Sequence, residues 1–345
     1  MTRRRRSWQV TVALAAVVVV AACSTPNVGG APSATGGAGA AAGGAARYQV
    51  IAEADDAMAA VYRLLGSARS SLDLYMYELV DQHAETVLAS LAARGVRVRV
   101  VLDRNREGAA NAAANAFLTG HAVQVRWAPP RFAASHLKAA VVDGRTAAIM
   151  TLNLTTRYYP SSRDFAVLDA DAADVAAIAQ VFDADFTGTA VTAGPGRTLV
   201  WSPGAQAPLA ALIASAQSTV AIENEEMSAP TIISALAADA RRGVTVTVTM
   251  TDSPSWSAAF ATLSAAGAKI RVYHGETPIY IHAKVVAVDA ARPGGRVFIG
   301  SENFTVASLE HNRELGVIID TPAPAASVAA TVAHDFAGAT PWAQR

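Results

Sequence analysis

Two segments of the sequence share the pattern His-x-Lys-x-x-x-x-Asp, which contains the residue types that phosphate chemistry needs. The six residues that fill the pattern are His136, Lys138 and Asp143, then His282, Lys284 and Asp289. On an extended strand, residues i and i+2 project to the same face, so each histidine is expected beside its lysine. A lysine neutralises phosphate oxygens while an imidazole reacts. The pattern therefore predicts two phosphate-handling groups, each at the start of a strand.

Each motif is followed by a hydroxyl residue, an asparagine and a carboxylate, in the same order. The two sets are Thr151, Asn153 and Asp164 in the first case, and Ser301, Asn303 and Glu314 in the second. Asparagine can donate hydrogen bonds to phosphate oxygens, and we predict that the hydroxyl residues also bind phosphate. A carboxylate behind an imidazole fixes its tautomer and stabilises its charged form. We therefore predict that Asp164 and Glu314 orient the motif histidines.

The two motifs belong to an internal duplication of the chain. Matching segments around Ser67 and Ser215, and around Gly95 and Gly243, are 148 residues apart. The motif histidines are 146 residues apart and the asparagines 150, and loop insertions explain such small drifts. A single His-x-Lys would usually be a surface strand with no chemical role. Two complete sets at the repeat spacing, which use two of the three lysines in the chain, favour a functional site.

Helical and strand patterns alternate within each half. In the first half they predict helices at 55–68, 85–93 and 109–118, and strands at 71–77, 96–102, 123–127, 136–142, 147–152 and 165–168. Such alternation is typical of an α/β fold with mixed sheets flanked by helices. We expect an N-terminal half at 47–192 and a C-terminal half at 193–340. The halves are expected to pack about a pseudo-two-fold axis, so that the two motifs meet.

The paired motifs resemble those of the phospholipase D superfamily, and the resemblance covers residues 48–340. It implies that both motifs form one active site, that one histidine forms a covalent phosphohistidine, and that the other protonates the leaving alcohol, without metal or other cofactor. The resemblance implies His136 as nucleophile and His282 as general acid/base, although the residues alone leave that order open. The lysines and asparagines would hold the phosphate. Asp143 and Asp289 would have a structural hydrogen-bonding role.

The first half departs from the pattern of this family. The second half keeps Gly300-Ser301 before its x-Asn step, whereas the first has Met150-Thr151. The first half also has Asp164 where a glutamate is more usual. Aspartate is one methylene shorter, so we expect the first-half histidine to be held differently.

The N-terminal segment has the features of a bacterial export signal. Arg3–Arg6 form a basic region, and the apolar stretch at 8–22 is too short for a comfortable membrane span. The run that ends in Cys23, the only cysteine, resembles a lipobox. We predict a signal peptide at 1–22, lipidation at Cys23 and a flexible tether at 23–46. The protein would then be exported and anchored on the outer face of the cell membrane.

The charge balance limits the classes of substrate. Beyond the predicted signal peptide, 24 basic and 28 acidic residues remain, a net charge of −4, which argues against broad nucleic-acid binding. We therefore predict a monomeric enzyme that hydrolyses phospholipids or exchanges their headgroups. The alternatives are an exported endonuclease, a phosphatidyltransferase similar to cardiolipin synthase, and a binding module without catalysis.

Other polar residues follow predicted strands and are candidates for the pocket wall. They are Tyr75, Tyr77, Asp103, Trp127, Glu223, Glu225, Asp252 and Tyr273, and each could equally pack in the core or lie in a solvated loop. An acidic rim built from the run Glu223–Glu226 would suit a zwitterionic or cationic headgroup better than a polyanion.

Overall fold

The computed structural model describes residues 47–53, 57–275 and 279–344. The predicted signal peptide, Cys23 and the tether lie outside the described residues. The first half contains β1 (Tyr48–Glu53), α1 (Ala57–Gly66), β2 (Ser71–Met76), β3 (Leu79–Val80), α2 (Gln82–Ala93), β4 (Arg97–Leu102), α3 (Ala112–Gly120), β5 (Gln124–Trp127), β6 (Ala139–Val142), β7 (Thr146–Met150), β8 (Leu154–Thr155), β9 (Ser162–Asp169) and α4 (Ala172–Thr187).

The second half repeats this order with small additions. It contains β10 (Leu199–Ser202), α5 (Gln206–Ala214), β11 (Thr219–Glu223), α6 (Pro230–Arg241), β12 (Thr245–Thr251), a 3-10 turn (Pro254–Trp256), α7 (Ser257–Ala265), β13 (Lys269–Tyr273), β14 (Tyr280–Ile281), β15 (Val285–Val288), β16 (Arg296–Gly300), α8 (Val306–Glu310), β17 (Glu314–Ile319), α9 (Pro322–Gly338) and β18 (Thr340–Pro341). None of the helices in the described part of the chain has the length and apolar character to cross a membrane.

Two large mixed sheets confirm the expected duplicated α/β fold. The first has the strand order β1-β9-β7-β6-β2-β4-β5, and the second the order β10-β17-β16-β15-β11-β12-β13-β18. The first seven strands of each sheet occupy equivalent places. Three neighbouring strands run parallel in each sheet, β2-β4-β5 in the first and β11-β12-β13 in the second, and the motif strands β6 and β15 pair antiparallel to their neighbours.

The two halves share an apolar core. Ile149 and Val167 from the first sheet belong to the same buried cluster as Ile299 and Val317 from the second. Burying such a side chain contributes roughly 2 kcal/mol. A cluster built from both sheets therefore fixes one half against the other.

The matched glycines of the repeat end equivalent helices. Gly95 and Gly243 follow α2 and α6 with φ of +82° and +91°, a left-handed conformation that glycine adopts without steric cost. At the start of α2, the carboxylate of Asp81 accepts hydrogen bonds from the amides of His83 and Ala84. The glycines end helices α2 and α6, and strands β4 and β12 begin two residues later.

The motif aspartates hold the turns that follow the motif strands. Asp143 and Asp289 have φ of +52° and +49°, a region that aspartate tolerates better than most residues. Their carboxylates accept hydrogen bonds from consecutive backbone amides, at 69–71 and 217–219 respectively. These donors outweigh the effect of desolvation and hold the pKa of Asp143 well below its usual value. Each motif hairpin is thereby tied to the start of the neighbouring strand.

The His-x-Lys steps lie just before the strands on which they were predicted. β6 begins at Ala139 and β15 at Val285. The prediction of strand from His136 onward was therefore wrong by three residues. The reason is that the backbone amide of His136 bonds the carbonyl of Arg313, in the other half, and not a strand of its own sheet.

Candidate active site

A cavity of about 390 Å³ lies where the two halves meet. Its wall consists of Tyr77, Glu78, Glu107, His136, Asn153, Tyr158, Ser161 and Ser162 from the first half, and Glu225, Glu226, Tyr280, His282 and Asn303 from the second. Both motif histidines and both predicted asparagines are therefore brought together. The side-chain oxygens of the asparagines have no hydrogen-bond partner among the described residues.

Each motif histidine is held by a carboxylate from the opposite half. The Nδ1 atom of His136 lies 2.8 Å from Oε2 of Glu314, and Nδ1 of His282 lies 2.8 Å from Oδ1 of Asp164. Donation from Nδ1 leaves Nε2 of each ring available for chemistry. Our expectation that the shorter Asp164 would alter the hold on the first-half histidine was wrong, because Asp164 holds the second-half one.

Backbone hydrogen bonds also hold each motif histidine to the opposite half. The amide of His136 donates to the carbonyl of Arg313 (2.9 Å), and the amide of His282 donates to the carbonyl of Arg163 (3.2 Å). Each arginine directly precedes the carboxylate that holds that histidine. In addition, β14 from the second half pairs with β9 of the first. We use the name crossed clasps for the two places where a motif histidine of one half is held by the arginine carbonyl and the adjacent carboxylate of the other half.

The arginine side chains anchor the crossed clasps. Arg313 donates two hydrogen bonds to Asp185 on α4, at 2.9 and 3.1 Å, and Arg163 bonds Asp335 on α9. All four side chains are buried. Because a buried charge is tolerated only when it is paired, these ion pairs restrict how the two halves can dock.

The hydroxyl residues that we predicted to bind phosphate, Thr151 and Ser301, do not line the cavity. Thr151 is fully buried, donates to Asp164, and accepts from the amide of Phe165. Ser301 is also fully buried and accepts from the amide of Leu315. Both hydroxyls lie at strand ends and turn toward the neighbouring strand. They therefore support the strands that carry the orienting carboxylates.

Each motif lysine contacts the backbone of its own motif histidine, but the two lysines differ in their other neighbours. Lys138 donates to the carbonyl of His136 (2.6 Å), and its Nζ lies 5.0 Å from the centre of the Tyr77 ring. Burial and the charge of Lys284 lower the pKa of Lys138 to about 7. Lys284 likewise donates to the carbonyl of His282, and its Nζ also lies 3.0 Å from the carboxylate of Glu225.

Tyr77 and Glu225 occupy equivalent positions of the repeat, 148 residues apart. The Tyr77 ring packs edge-on against His136, with ring centres 4.5 Å apart. Glu225 lies 3.5 Å from Nε2 of His282 and accepts hydrogen bonds from Asn303 and Tyr280. Both residues were among many candidates near strand ends. Alignment of the two repeats would have singled them out, because a neutral tyrosine in one half matches a carboxylate in the other.

These neighbours give the two histidines different electrostatic surroundings. Burial lowers the pKa of His136 below its usual value and keeps its imidazole neutral near pH 7. The charges of Lys284 and His282 outweigh the burial of Glu225 and hold its pKa well below the usual range. His282 lies between two carboxylates, Asp164 at 2.8 Å from Nδ1 and Glu225 at 3.5 Å from Nε2.

The first-half departures from the family pattern have a packing explanation. A Cβ atom at Gly300 would lie 2.3 Å from the carboxylate of Glu302, which covers this glycine. In the first half the residue equivalent to Glu302 is Leu152, and the buried Met150 takes the place of the glycine. The Cα of Gly316 and the ring of Phe298 would also lie within 2.7 Å of a Cβ at Gly300, so several neighbours together exclude a side chain at position 300.

The remaining candidates for the pocket wall lie elsewhere. Tyr75 and Glu223 are buried behind the site, and Asp103 accepts backbone hydrogen bonds in a loop. Trp127, Asp252 and Tyr273 do not line the cavity. Within the described ranges, no group of three or more histidine, cysteine, aspartate or glutamate side chains is arranged to hold a metal ion.

The family model described as "Cardiolipin synthase, PLD-like domain" matches this chain twice, at residues 61–186 and 209–338. The chain therefore belongs to the phospholipase D-like family, whose members act on phosphodiesters. The resemblance predicted from the motifs is confirmed.

Solved structures share the fold. Phosphatidylserine synthase of Haemophilus influenzae Rd KW20 is 12% identical, with a TM-score of 0.66, over 87% of this chain and 88% of that one. Polyphosphate kinase of Porphyromonas gingivalis is 15% identical, with a TM-score of 0.65, over 83% of this chain. The match spans only 46% of the kinase. The phospholipase D family member Nuc of Salmonella typhimurium is 27% identical over 42% of this chain and 95% of its own, with a TM-score of 0.38. No curated protein sequence matches this chain.

Proposed function

We propose that this protein is a phosphodiesterase that acts on phospholipids through a covalent phosphohistidine, by hydrolysis or headgroup transfer. The observation that carries this proposal is the convergence of two His-x-Lys motifs on one cavity, each histidine backed by a carboxylate at 2.8 Å. A nucleophile, an acid and fixed positive charge are the parts that phosphodiester cleavage needs.

The reaction proceeds in two balanced steps. In the first, Nε2 of His136 attacks phosphorus, the bond to the leaving alcohol breaks, and Nε2 of His282 gives its proton to the leaving oxygen. In the second, His282 takes a proton from water or from an acceptor alcohol, whose oxygen attacks phosphorus and releases His136. Lys138 and Lys284 neutralise the phosphate oxygens, and the asparagine amides donate hydrogen bonds to them.

The surroundings of the histidines support this order of roles. A nucleophile must be neutral, and burial keeps His136 in that form. His282, the proposed general acid, has a carboxylate beside each ring nitrogen, Asp164 at 2.8 Å and Glu225 at 3.5 Å.

A lipid substrate agrees with the charge of the chain and with its N-terminus. The cavity wall carries four glutamates, which disfavours a polyanion such as DNA. Lipidation at Cys23, a position outside the described residues, would keep the enzyme at the outer membrane face, close to its substrate. We propose that the protein works there as a monomer.

A substrate panel tests the proposed function. Phosphatidylcholine, phosphatidylglycerol, DNA and a chromogenic phosphodiester are incubated with the protein in the presence of EDTA, with and without an acceptor alcohol. We expect cleavage of lipid and of the chromogenic ester, and no cleavage of DNA. Cleavage of DNA alone would establish the endonuclease instead, and a lipid product seen only with acceptor would define a phosphatidyltransferase. Loss of all activity in EDTA would refute a metal-independent mechanism.

Trapping the intermediate tests the roles of the histidines. With a substrate labelled at phosphorus, His282→Ala should accumulate a phosphoenzyme, because the second step lacks its base. His136→Ala should form none, since the attacking nitrogen is missing. His334→Ala, which changes an exposed histidine on α9, is the matched control and should behave as wild type. A phosphoenzyme in His136→Ala would contradict the assignment.

The pH dependence of kcat/KM should reveal Lys138. Its pKa is lowered to about 7, so its positive charge is present below that pH and is lost as the pH rises through it. We expect kcat/KM to fall across this range. In Lys138→Arg the guanidinium stays charged, and the midpoint of the fall should move upward by about one pH unit or more. An unchanged midpoint would show that another group sets this limb.

A further inference from the structure

We propose that Glu225 selects substrates by charge, favouring a phosphodiester that also carries a cationic group and disfavouring one without a compensating cation. This inference rests on the proposed function and names the class of substrate within it. Four contacts of one carboxylate, and its absence from the equivalent place in the first half, support it.

Glu225 uses donors that would otherwise face the phosphate. Its Oε2 atom lies 3.0 Å from Nζ of Lys284, 3.3 Å from Nδ2 of Asn303 and 3.5 Å from Nε2 of His282. Its Oε1 accepts from the hydroxyl of Tyr280 at 3.0 Å. An ammonium, an amide and an imidazole around one oxygen are the partners that a phosphate oxygen would also have. The second half of the site therefore already contains an anion.

The first half has no such anion at the equivalent position. Tyr77 presents the face of its ring to Lys138, and this neutral group leaves the lysine charge available to a phosphate oxygen. The two lysines therefore differ in what they can offer a substrate. We place the phosphate of the substrate nearer to Lys138 and His136.

Carboxylates already lie beside the reactive groups at the centre of the site. Glu225 lies 3.0 Å from Lys284, Asp164 and Glu314 hold the two histidines at 2.8 Å, and Glu78, Glu107 and Glu226 also line the cavity. A phosphodiester adds a further negative charge, and a cation on the same molecule offsets it. Tyr158 and Tyr280, which line the same cavity as Glu225, suit an ammonium group, because aromatic faces attract it.

Binding measurements with two small phosphodiesters test this inference. Glycerophosphocholine and glycerophosphoglycerol share the phosphodiester, and only the first carries a cation. Titration calorimetry of the full chain in a His136→Ala background avoids turnover. We expect glycerophosphocholine to bind more tightly, and Glu225→Gln to reduce that preference by about tenfold, the size of effect expected for one nearby charge. The glutamine keeps the shape of the side chain.

Glu226→Gln provides the matched control. Glu226 lines the same cavity, whereas the close contacts with Lys284 and Asn303 are those of Glu225. Its effect on the preference should stay below about threefold, well short of the tenfold expected for Glu225. Equal binding of both ligands, an unchanged preference in Glu225→Gln, or an equal effect of Glu226→Gln would each overturn the proposal. If the wild type turns over no lipid, the proposed function fails, whereas the binding ratios still decide the role of Glu225.

Discussion

Glu314→Gln will lower kcat by about three to four orders of magnitude, although Glu314 and the histidine that it holds belong to different halves. The carboxylate accepts a hydrogen bond from Nδ1–H of His136, which keeps the proton on Nδ1 and leaves Nε2 unprotonated for attack. A glutamine amide can donate to Nδ1 instead, which moves the proton to Nε2 and removes the nucleophile. Asp164→Asn should act in the same way on His282, and should mainly slow the proton transfers.

Double-variant cycles will show that this coupling crosses between the halves. With a chromogenic phosphodiester, His136→Ala should be no worse when Glu314→Gln is added, because both changes disable the same group. Asp183→Asn is the control, since it changes a carboxylate that is 59% exposed on α4. Circular dichroism establishes that each variant is folded. A loss below tenfold in Glu314→Gln, or full additivity with His136→Ala, would contradict the cross-half arrangement.

Glu302→Gln will become more stable relative to wild type as the pH rises from 5 to 8. The carboxyl group of Glu302 is fully buried, neither oxygen has a hydrogen-bond partner among the described residues, and burial raises its pKa well above the usual value. Between the ordinary and the raised pKa, the unfolded chain has lost this proton while the folded chain keeps it. The free energy of unfolding therefore falls with rising pH, by up to about 1.4 kcal/mol per pH unit.

Urea denaturation at several pH values measures this slope. A glutamine cannot ionise, so the difference in unfolding free energy between variant and wild type should grow across the range. Any change in the unfolding free energy that comes from burying the glutamine amide does not depend on pH and so does not affect the slope. Other buried acids titrate in both proteins, and their contributions cancel in the difference. Glu310→Gln, at the partly exposed end of α8, should show no such growth. A flat difference for Glu302→Gln would mean that Glu302 titrates normally.

Most of the fold follows from pattern and repetition. The alternation of helix and strand predicted six strands of the first sheet within a few residues and missed β1, and the spacing of the repeat predicted the second sheet from the first. The motif residues could be identified because they occur twice. The site was also predictable in composition, since both histidines and both asparagines line one cavity.

The pairing across the halves could not be predicted, because sequence spacing does not show which half a side chain faces. Asp164 follows His136 along the chain but contacts His282, since the clasps cross at the interface. The hydroxyls of Thr151 and Ser301 were assigned to phosphate because their residue type fits that role, yet their burial turns them toward neighbouring strands. We also expected the important asymmetry at Met150, Thr151 and Asp164. The structure shows a stronger one at Tyr77 and Glu225.

The crossed clasps also have an evolutionary consequence. In a homodimer of identical subunits, one substitution would alter both histidine environments at once. Gene fusion removes that constraint, because each half can then mutate alone while both remain bound to the shared centre. Position 77 could become a tyrosine while its copy at 225 became a glutamate. The duplication thus allows the surroundings of the two histidines to differ, as they do at Tyr77 and Glu225.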